Sequence, residues 1–277
     1  MALENSRIAF IGSGVMAEAM IRGLLDKNLL NGDRIVVSDP RRDRGLELVA
    51  RYNLNYAHDN AEAARGADII VLSTKPQVMG QVAQSMAGEG QHASLILSIL
   101  AGVRIQTIAD GLKNSAVVRA MPNTPAQIGQ GITVWTATDD VPELGRTQAR
   151  ALLGALGEEI FLDDEKFLDM ATALSGSGPA YVFLFMEAMI DVGVHLGFSR
   201  RDAERLVMQT MRGSVEYARQ SNMHPAQLRN QVTSPGGTSA AALYELERGG
   251  LRTVMADGVW AAYKRSVELG DAQEKKD

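Results

Sequence analysis

A glycine turn close to the amino terminus constrains this chain more than any other feature. Gly12-Ser13-Gly14-Val15-Met16-Ala17 follows the apolar run Ile8-Ala9-Phe10-Ile11 and leads directly into the helix-spaced apolar residues Met20, Ile21, Leu24 and Leu25. Strand, Gly-x-Gly-x-x-small turn and helix in succession form the phosphate-binding unit of a dinucleotide fold. The first Gly makes the tight turn, the second lets backbone approach a pyrophosphate, and the third position needs only a small side chain for helix-on-sheet packing. Ala17 meets that last requirement.

The stretch that follows has the alternation such a fold needs. Arg34-Ile35-Val36-Val37-Ser38, Asp68 through Ser73 and Leu95-Ile96-Leu97-Ser98 read as strands with helical segments between them. Alternating strands and helices imply a parallel sheet, and unbroken runs such as Ile69-Ile70-Val71 imply burial on both faces. Val117 to Met121, Ile132 to Trp135 and Glu159 to Phe161 add further strands, after which the period-two signal stops near Asp163-Asp164. The fold class is α/β, a doubly wound sheet over residues 1–163 followed by an all-helical domain over 164–277. A chain of 277 residues suits two domains.

In the second domain Pro179 suits the first turn of a helix ending near Gly197. Tyr181, Val182, Phe183, Leu184, Phe185, Met186, Met189, Ile190, Val192 and Val194 leave that helix almost no polar face. A helix apolar all round is surrounded by protein. The reading is an obligate dimer or larger assembly with interleaved carboxy-terminal helices. Further helices are expected at about 200–220, 225–232, 239–248 and 251–269, with a fraying tail from Gln273 to Asp277.

Composition narrows the function. A formal net charge of −5 gives no basic field for nucleic acid, and the absence of Cys removes disulfides, thiolate nucleophiles and Cys-based metal sites. His58, His92, His195 and His224 have no metal-ligand spacing, so no metal is expected. Met1 to Arg7 lacks the basic and apolar regions of a signal peptide, and no uninterrupted apolar run is read as long enough to span a bilayer. The expected location is the cytoplasm.

Three further segments carry candidate chemistry. Ser234-Pro235-Gly236-Gly237-Thr238-Ser239 lies between two expected helices, and its small residues leave the backbone N–H groups of the second helix open. A carboxylate there gains charge-assisted hydrogen bonds and a helix-dipole contribution of roughly 0.3–1 kcal/mol, although an ordinary capped turn uses the same residues. Met121-Pro122-Asn123-Thr124-Pro125 follows a strand where ligands of open α/β sheets collect, and it is also plain turn chemistry. Asp163-Asp164-Glu165 reads as a solvated hinge whose Glu165 faces the interdomain cleft. The central helix from Pro179 to Gly197 contains no Lys or Arg, so it has no ammonium acid for reducing a ketone or for β-keto-acid decarboxylation. That disfavours a relative of the β-hydroxyacid and 6-phosphogluconate dehydrogenases. A protonated imine is already electrophilic and asks chiefly for positioning and water exclusion.

Taken in order, Ile11 to Ala17, Lys75-Pro76, Ala101-Gly102-Val103, Met121 to Pro125, Leu174-Ser175-Gly176-Ser177-Gly178-Pro179-Ala180-Tyr181, and His224-Pro225 leading to Ser234 through Thr238 resemble the pyrroline-5-carboxylate reductase family over nearly the whole chain. The resemblance implies a Rossmann-type domain with an all-α dimerisation domain. It also implies NAD(P)H-dependent hydride transfer to the C=N bond of 1-pyrroline-5-carboxylate, giving L-proline in the last step of proline biosynthesis. It places Gly12, Ser13, Gly14, Val15, Met16 and Ala17 on the pyrophosphate, and Ser38, Asp39, Arg41, Asn60, Lys75, Pro76, Ala101 and Asn123 along the cofactor. Gly236, Gly237, Thr238 and Ser239 would hold the substrate carboxylate, Glu165 and Ser177 would lie nearby, and Thr172 would offer its hydroxyl to the ring nitrogen. The implied assembly is a homodimer, in many members built into larger rings.

Asp39 leaves the cofactor open between NADP(H), the family preference, and NAD(H). Its carboxylate can accept ribose hydroxyls from NAD, whereas Arg41 or Arg42 can bind a 2′-phosphate if Asp39 turns outward. Two other readings of the chain are a reductase of a different cyclic imine and a non-catalytic NADP-binding sensor.

Overall fold

Ile8 and Phe10 project to one face of the first strand and Ala9 and Ile11 to the other, and all four side chains are buried. A strand apolar on both sides has to be covered on both sides. The computed structural model of the chain describes residues 2–274. Its sheet has eight strands: β1 (Ile8–Ile11), β2 (Ile35–Ser38), β3 (Asn55–Tyr56), β4 (Ile69–Leu72), β5 (Leu95–Ser98), β6 (Val117–Met121), β7 (Gly131–Ala137) and β8 (Gly157–Phe161). The spatial order is β3-β2-β1-β4-β5-β6-β7-β8. Every neighbouring pair is parallel except β6 and β7, which are antiparallel.

Helices α1 (Val15–Asp26), α2 (Arg42–Tyr52), α3 (Asn60–Ala64), α4 (Met79–Ser85), α5 (Ile105–Leu112) and α6 (Glu143–Gly154) link the strands. α7 (Lys166–Ala171), a π turn at Thr172–Gly176, α8 (Gly178–His195), α9 (Arg200–Ser221), α10 (Pro225–Gln231), α11 (Thr238–Arg248) and α12 (Leu251–Glu274) follow. One core cluster joins Phe10, Met20, Ile21, Leu24, Trp135 and Leu152 on one face of the sheet, and a second joins Ile11, Ile70, Met79, Ile96 and Ile108 on the other. A small third cluster seats Leu168 and Ala171 of α7 on Val134 of β7. That contact carries the start of the helical sequence onto the sheet.

The expected doubly wound sheet is present. The two-residue β3 was not anticipated, because Asn-Tyr carries no strand pattern. α12 includes Gln273 and Glu274, which were expected to fray, and Lys275 to Asp277 lie outside the described residues.

The chain separates into two compact units. The first comprises residues up to Ser177 together with those from Ala262 onward, and the second is Gly178–Ala261. The second unit is helical, and within it only Ala203 and Val207 are buried. Phe183 is 60% exposed and Leu184 67%. The stretch Lys166–His195 holds a window of mean hydropathy 1.2, long and apolar enough by length and composition to cross a membrane. No run of that length is expected from the sequence, whereas Pro179 does lie in the first turn of α8, as its residue type suggests. α7 and the π turn precede α8 directly, and this lengthens the stretch.

Candidate functional site

The glycine turn is built as its residue types require. Gly12 has φ +100°, and a Cβ there would lie 2.8 Å from the Ser73 carbonyl oxygen and 2.9 Å from Thr74 Cγ2. Only glycine fits this position. Its N–H donates to the Ser38 carbonyl at 2.8 Å, and its own carbonyl accepts from Ser73 Oγ at 2.8 Å, so the turn is tied to β2 and β4. Gly14 is the N-cap of α1 and supplies no side-chain acceptor. The first-turn N–H groups of Val15, Met16 and Ala17 are therefore left to an incoming anion, reinforced by the helix dipole. Ser13 Oγ is buried and has no hydrogen-bond partner among the described residues. A tight glycine cradle below an uncapped helix start fits the pyrophosphate of a dinucleotide.

Around the turn, Ser38 Oγ donates to Asn60 Oδ1 at 2.7 Å, and Asn60 Nδ2 donates to Ser85 Oγ at 2.7 Å, linking β2, α3 and α4. Lys75 and Pro76 follow β4, and Ala101 follows β5; Lys75 and Ala101 are exposed. Asn123 sits after β6, where its Nδ2 donates to the Ser175 carbonyl at 3.2 Å and its Oδ1 accepts from Ile132 N–H at 3.0 Å. It ties the loop after the sheet to the π turn.

Asp39 does not turn outward. Its carboxylate is turned inward, 6% exposed, and accepts from Ser13 N–H at 2.8 Å, from Arg41 N–H at 2.9 Å and from Arg41 Nε at 3.1 Å. Burial pushes its pKa up, but the bonds from Arg41 and Ser13 outweigh that and hold the carboxyl below its ordinary value. Arg41 remains 69% exposed.

Glu165 is not part of a solvated hinge. Its Oε1 accepts from Ile105 N–H at 2.8 Å and from Arg119 Nη1 at 2.6 Å, whereas Asp164 pairs with Lys166. Arg119, on β6, is 4% exposed at its side chain; its Nη2 lies 3.7 Å from Asp169 Oδ1, which also accepts from Ser266 Oγ of α12 at 2.8 Å. This buried network was missed from sequence. The available signal was an Arg inside the apolar strand Val117-Val118-Arg119-Ala120-Met121, since buried arginines are rare unless paired.

α7 leads into the π turn, a geometry found often at functional positions. Thr172 opens it, with its hydroxyl donating to the Leu168 carbonyl at 2.7 Å. Ser177 follows the turn, and its N–H donates to the Thr172 carbonyl at 2.7 Å. In the helical unit, Gly236 has φ +70°, and a Cβ on Gly237 would lie 2.5 Å from Ser234 Oγ. Gly237 is the N-cap of α11 with no side-chain bond, which leaves the N–H groups of Thr238 and Ser239 open in the same way as those of α1.

Residues 165–269 match the family described as pyrroline-5-carboxylate reductase dimerisation, and residues 7–102 match one described as NADP oxidoreductase, coenzyme F420-dependent. A pyrroline-5-carboxylate reductase of Synechocystis sp. is 41% identical over 264 residues, covering 95% of this chain and 98% of the relative. This chain belongs to the pyrroline-5-carboxylate reductase family. Solved pyrroline-5-carboxylate reductases include one from Coxiella burnetii with TM-score 0.88 and 34% identity, covering 96% of this chain and 99% of the other. The Plasmodium falciparum pyrroline carboxylate reductase, solved with NADP bound, gives TM-score 0.87 and 33% identity, with coverage of 96% and 99%. The dimerisation match implies an oligomer, and the matched segment contains the helices whose apolar side chains are exposed among the described residues.

Proposed function

We propose that the chain is an NADP(H)-dependent oxidoreductase reducing the C=N bond of 1-pyrroline-5-carboxylate to L-proline, the last step of proline biosynthesis. The observation that carries this reading is that α1 and α11 each start on a glycine N-cap, Gly14 and Gly237, which offers no side chain to the first-turn N–H groups. One suits a pyrophosphate and the other a small carboxylic acid, the two anions the reaction brings together. Gly12, Ser13, Gly14, Val15, Met16 and Ala17 hold the pyrophosphate. Asn60, Lys75, Pro76, Ala101 and Asn123 line the remainder of the cofactor groove with Ser38, and exposed Arg41 meets the 2′-phosphate. The backbone at Gly236, Gly237, Thr238 and Ser239 holds the substrate carboxylate, with Glu165 and Ser177 beside the substrate.

When bound, the reduced nicotinamide supplies a hydride to the imine carbon. Thr172 then has a defined part. Its hydroxyl proton is already given to the Leu168 carbonyl, so the oxygen presents lone pairs to a protonated ring nitrogen. It orients the imine and leaves the nitrogen its proton, so product forms as the amine with no protein acid required. This agrees with a central helix free of Lys and Arg.

We assign residues 1–163 to cofactor binding and 164–277 to substrate binding and dimerisation, with interleaved helices in the dimer and dimers arranged in a larger ring. The Cys-free chain suits a cytoplasmic enzyme. The direct test is the initial rate of NADPH and NADH oxidation with 1-pyrroline-5-carboxylate, with proline detected by chromatography. Proline formed faster with NADPH is the expected result. Cofactor binding without turnover on either cofactor would move the reading to another cyclic imine, and if no cyclic imine is reduced, to a sensor.

A further inference from the structure

An acidic residue closing the second strand of a dinucleotide fold is ordinarily read as the acceptor of ribose hydroxyls. In this chain the acceptor sites of Asp39 are already taken. A carboxylate offers about four lone-pair sites. Ser13 N–H, Arg41 N–H and Arg41 Nε occupy three at 2.8, 2.9 and 3.1 Å, and Arg41 Nη2 approaches at 3.4 Å. Two bonds to free ribose hydroxyls would require breaking those already made.

The other side of Ser13 is held as well. Arg44 Nε donates to the Ser13 carbonyl at 3.0 Å, and the rest of its guanidinium pairs with Glu18 of α1 and, at 2.8 Å, with Glu47 of α2. Because a trans peptide sets N–H opposite C=O, fixing the Ser13 carbonyl toward Arg44 aims the Gly14 N–H the opposite way. Fixing the Ser13 N–H toward Asp39 likewise aims the Gly12 carbonyl at Ser73 Oγ, which it meets at 2.8 Å. Two successive peptide planes of the turn are set by two oppositely charged side chains.

Taking the Gly12–Ala17 turn as the pyrophosphate cradle, on which this rests, we propose that Asp39 and Arg44 are positioning residues that clamp the turn at Ser13. Asp39 supports NADPH and NADH binding alike and does not select between them. Selection falls to the outward face of Arg41.

The test is fluorescence titration of NADPH and NADH against wild type, Asp39→Ala and Arg44→Met, with apo-protein melting temperatures measured alongside. The clamp requires both variants to bind both cofactors more weakly, by roughly tenfold, the loss of one charge-assisted hydrogen bond. Arg44→Met should change the NADPH-to-NADH affinity ratio by less than about threefold. Adenosine 2′-monophosphate, which lacks a pyrophosphate, should bind Arg44→Met as it binds wild type. A ribose reader behaves differently: Asp39→Ala would then weaken NADH while leaving NADPH as tight or tighter, and that result overturns the proposal. So does a lowered melting temperature with both affinities intact. Gly12→Val separates the underlying reading: if it binds NADPH as wild type does, the turn is not the cradle, whatever Asp39 does.

Discussion

The strands at the centre of the sheet and the helix α8 are both strongly apolar, yet the chain treats them in opposite ways. Ile69, Ile70, Val71 and Leu72 are fully buried between two layers of helices. Each contributes roughly 1.5–3 kcal/mol by leaving water. Phe183, Leu184 and Val192, at least as apolar, stay more than half exposed, and the unit containing them buries only Ala203 and Val207. A helical unit of that kind has no core of its own. The first region is stable through contacts within one chain, whereas the second leaves its apolar side chains exposed, in keeping with an oligomer and with the dimerisation match over 165–269.

A charge on the exposed apolar face should break that contrast with the largest effect. Leu184→Glu places a carboxylate where a partner surface is needed, at a cost of several kcal/mol if it is covered without a counter-ion. Light scattering should then show loss of the oligomer, and thermal unfolding should become concentration-independent. An unchanged assembly would mean that this face is not the interface.

Arg119→Met sharpens the comparison from the other side. It leaves the carboxylates of Glu165 and Asp169 without their shared guanidinium, and breaking one partner of a buried ion pair costs about 3–5 kcal/mol. Denaturant titration of the assembled protein should show this loss with the oligomeric state retained, because every partner of Arg119 lies in the sheet-bearing unit. Wild-type stability would mean that the network is replaceable by packing alone.

These two regions also differ in how much of them was legible beforehand. β1, β2, β4 and β5 were readable because β-branched runs bounded by turns leave few alternatives, and the glycine turn because Gly12 stands where any Cβ would collide with Ser73. The apolar helix was readable in composition and in its start at Pro179, but the π turn that leads into it was not, since Thr172 to Gly176 carry no pattern that marks one. The Arg119 network was hidden for a different reason. Its partners lie far apart in sequence, 46 residues to Glu165, and the Ser266 to Asp169 bond spans 97. No local pattern encodes which buried cation meets which carboxylate. Asp39 was legible as a position and not as an orientation, because its direction is decided by Arg41 and the Ser13 amide.

Thr172 stands close to where the two units meet in sequence, and its removal tests chemistry with little effect on the fold. Thr172→Val keeps the shape and loses the oxygen. The expected result is a fall in kcat of about 10²-fold, the scale on which a lost orienting contact to the substrate slows the reaction, with the NADPH dissociation constant unchanged. Unchanged kcat would remove the hydroxyl from the reaction.

The smallest expected effect is an acid-side dependence at Asp39. Its folded-state pKa is held below the ordinary carboxylate value because, despite burial, hydrogen bonds from Arg41 and Ser13 favour the charged form. Such a group contributes its full stability above its unfolded pKa, about 4, and loses it as pH falls through the lower folded value. Between pH 7 and 5, NADPH affinity and melting temperature should therefore owe nothing to this residue's titration. Below about pH 4 both should fall in wild type, and the fall should be shallower in Asp39→Asn, which has no proton to gain. If the Asn variant keeps the full acid slope, the loss originates in other carboxylates, and the bonds around Ser13 survive protonation.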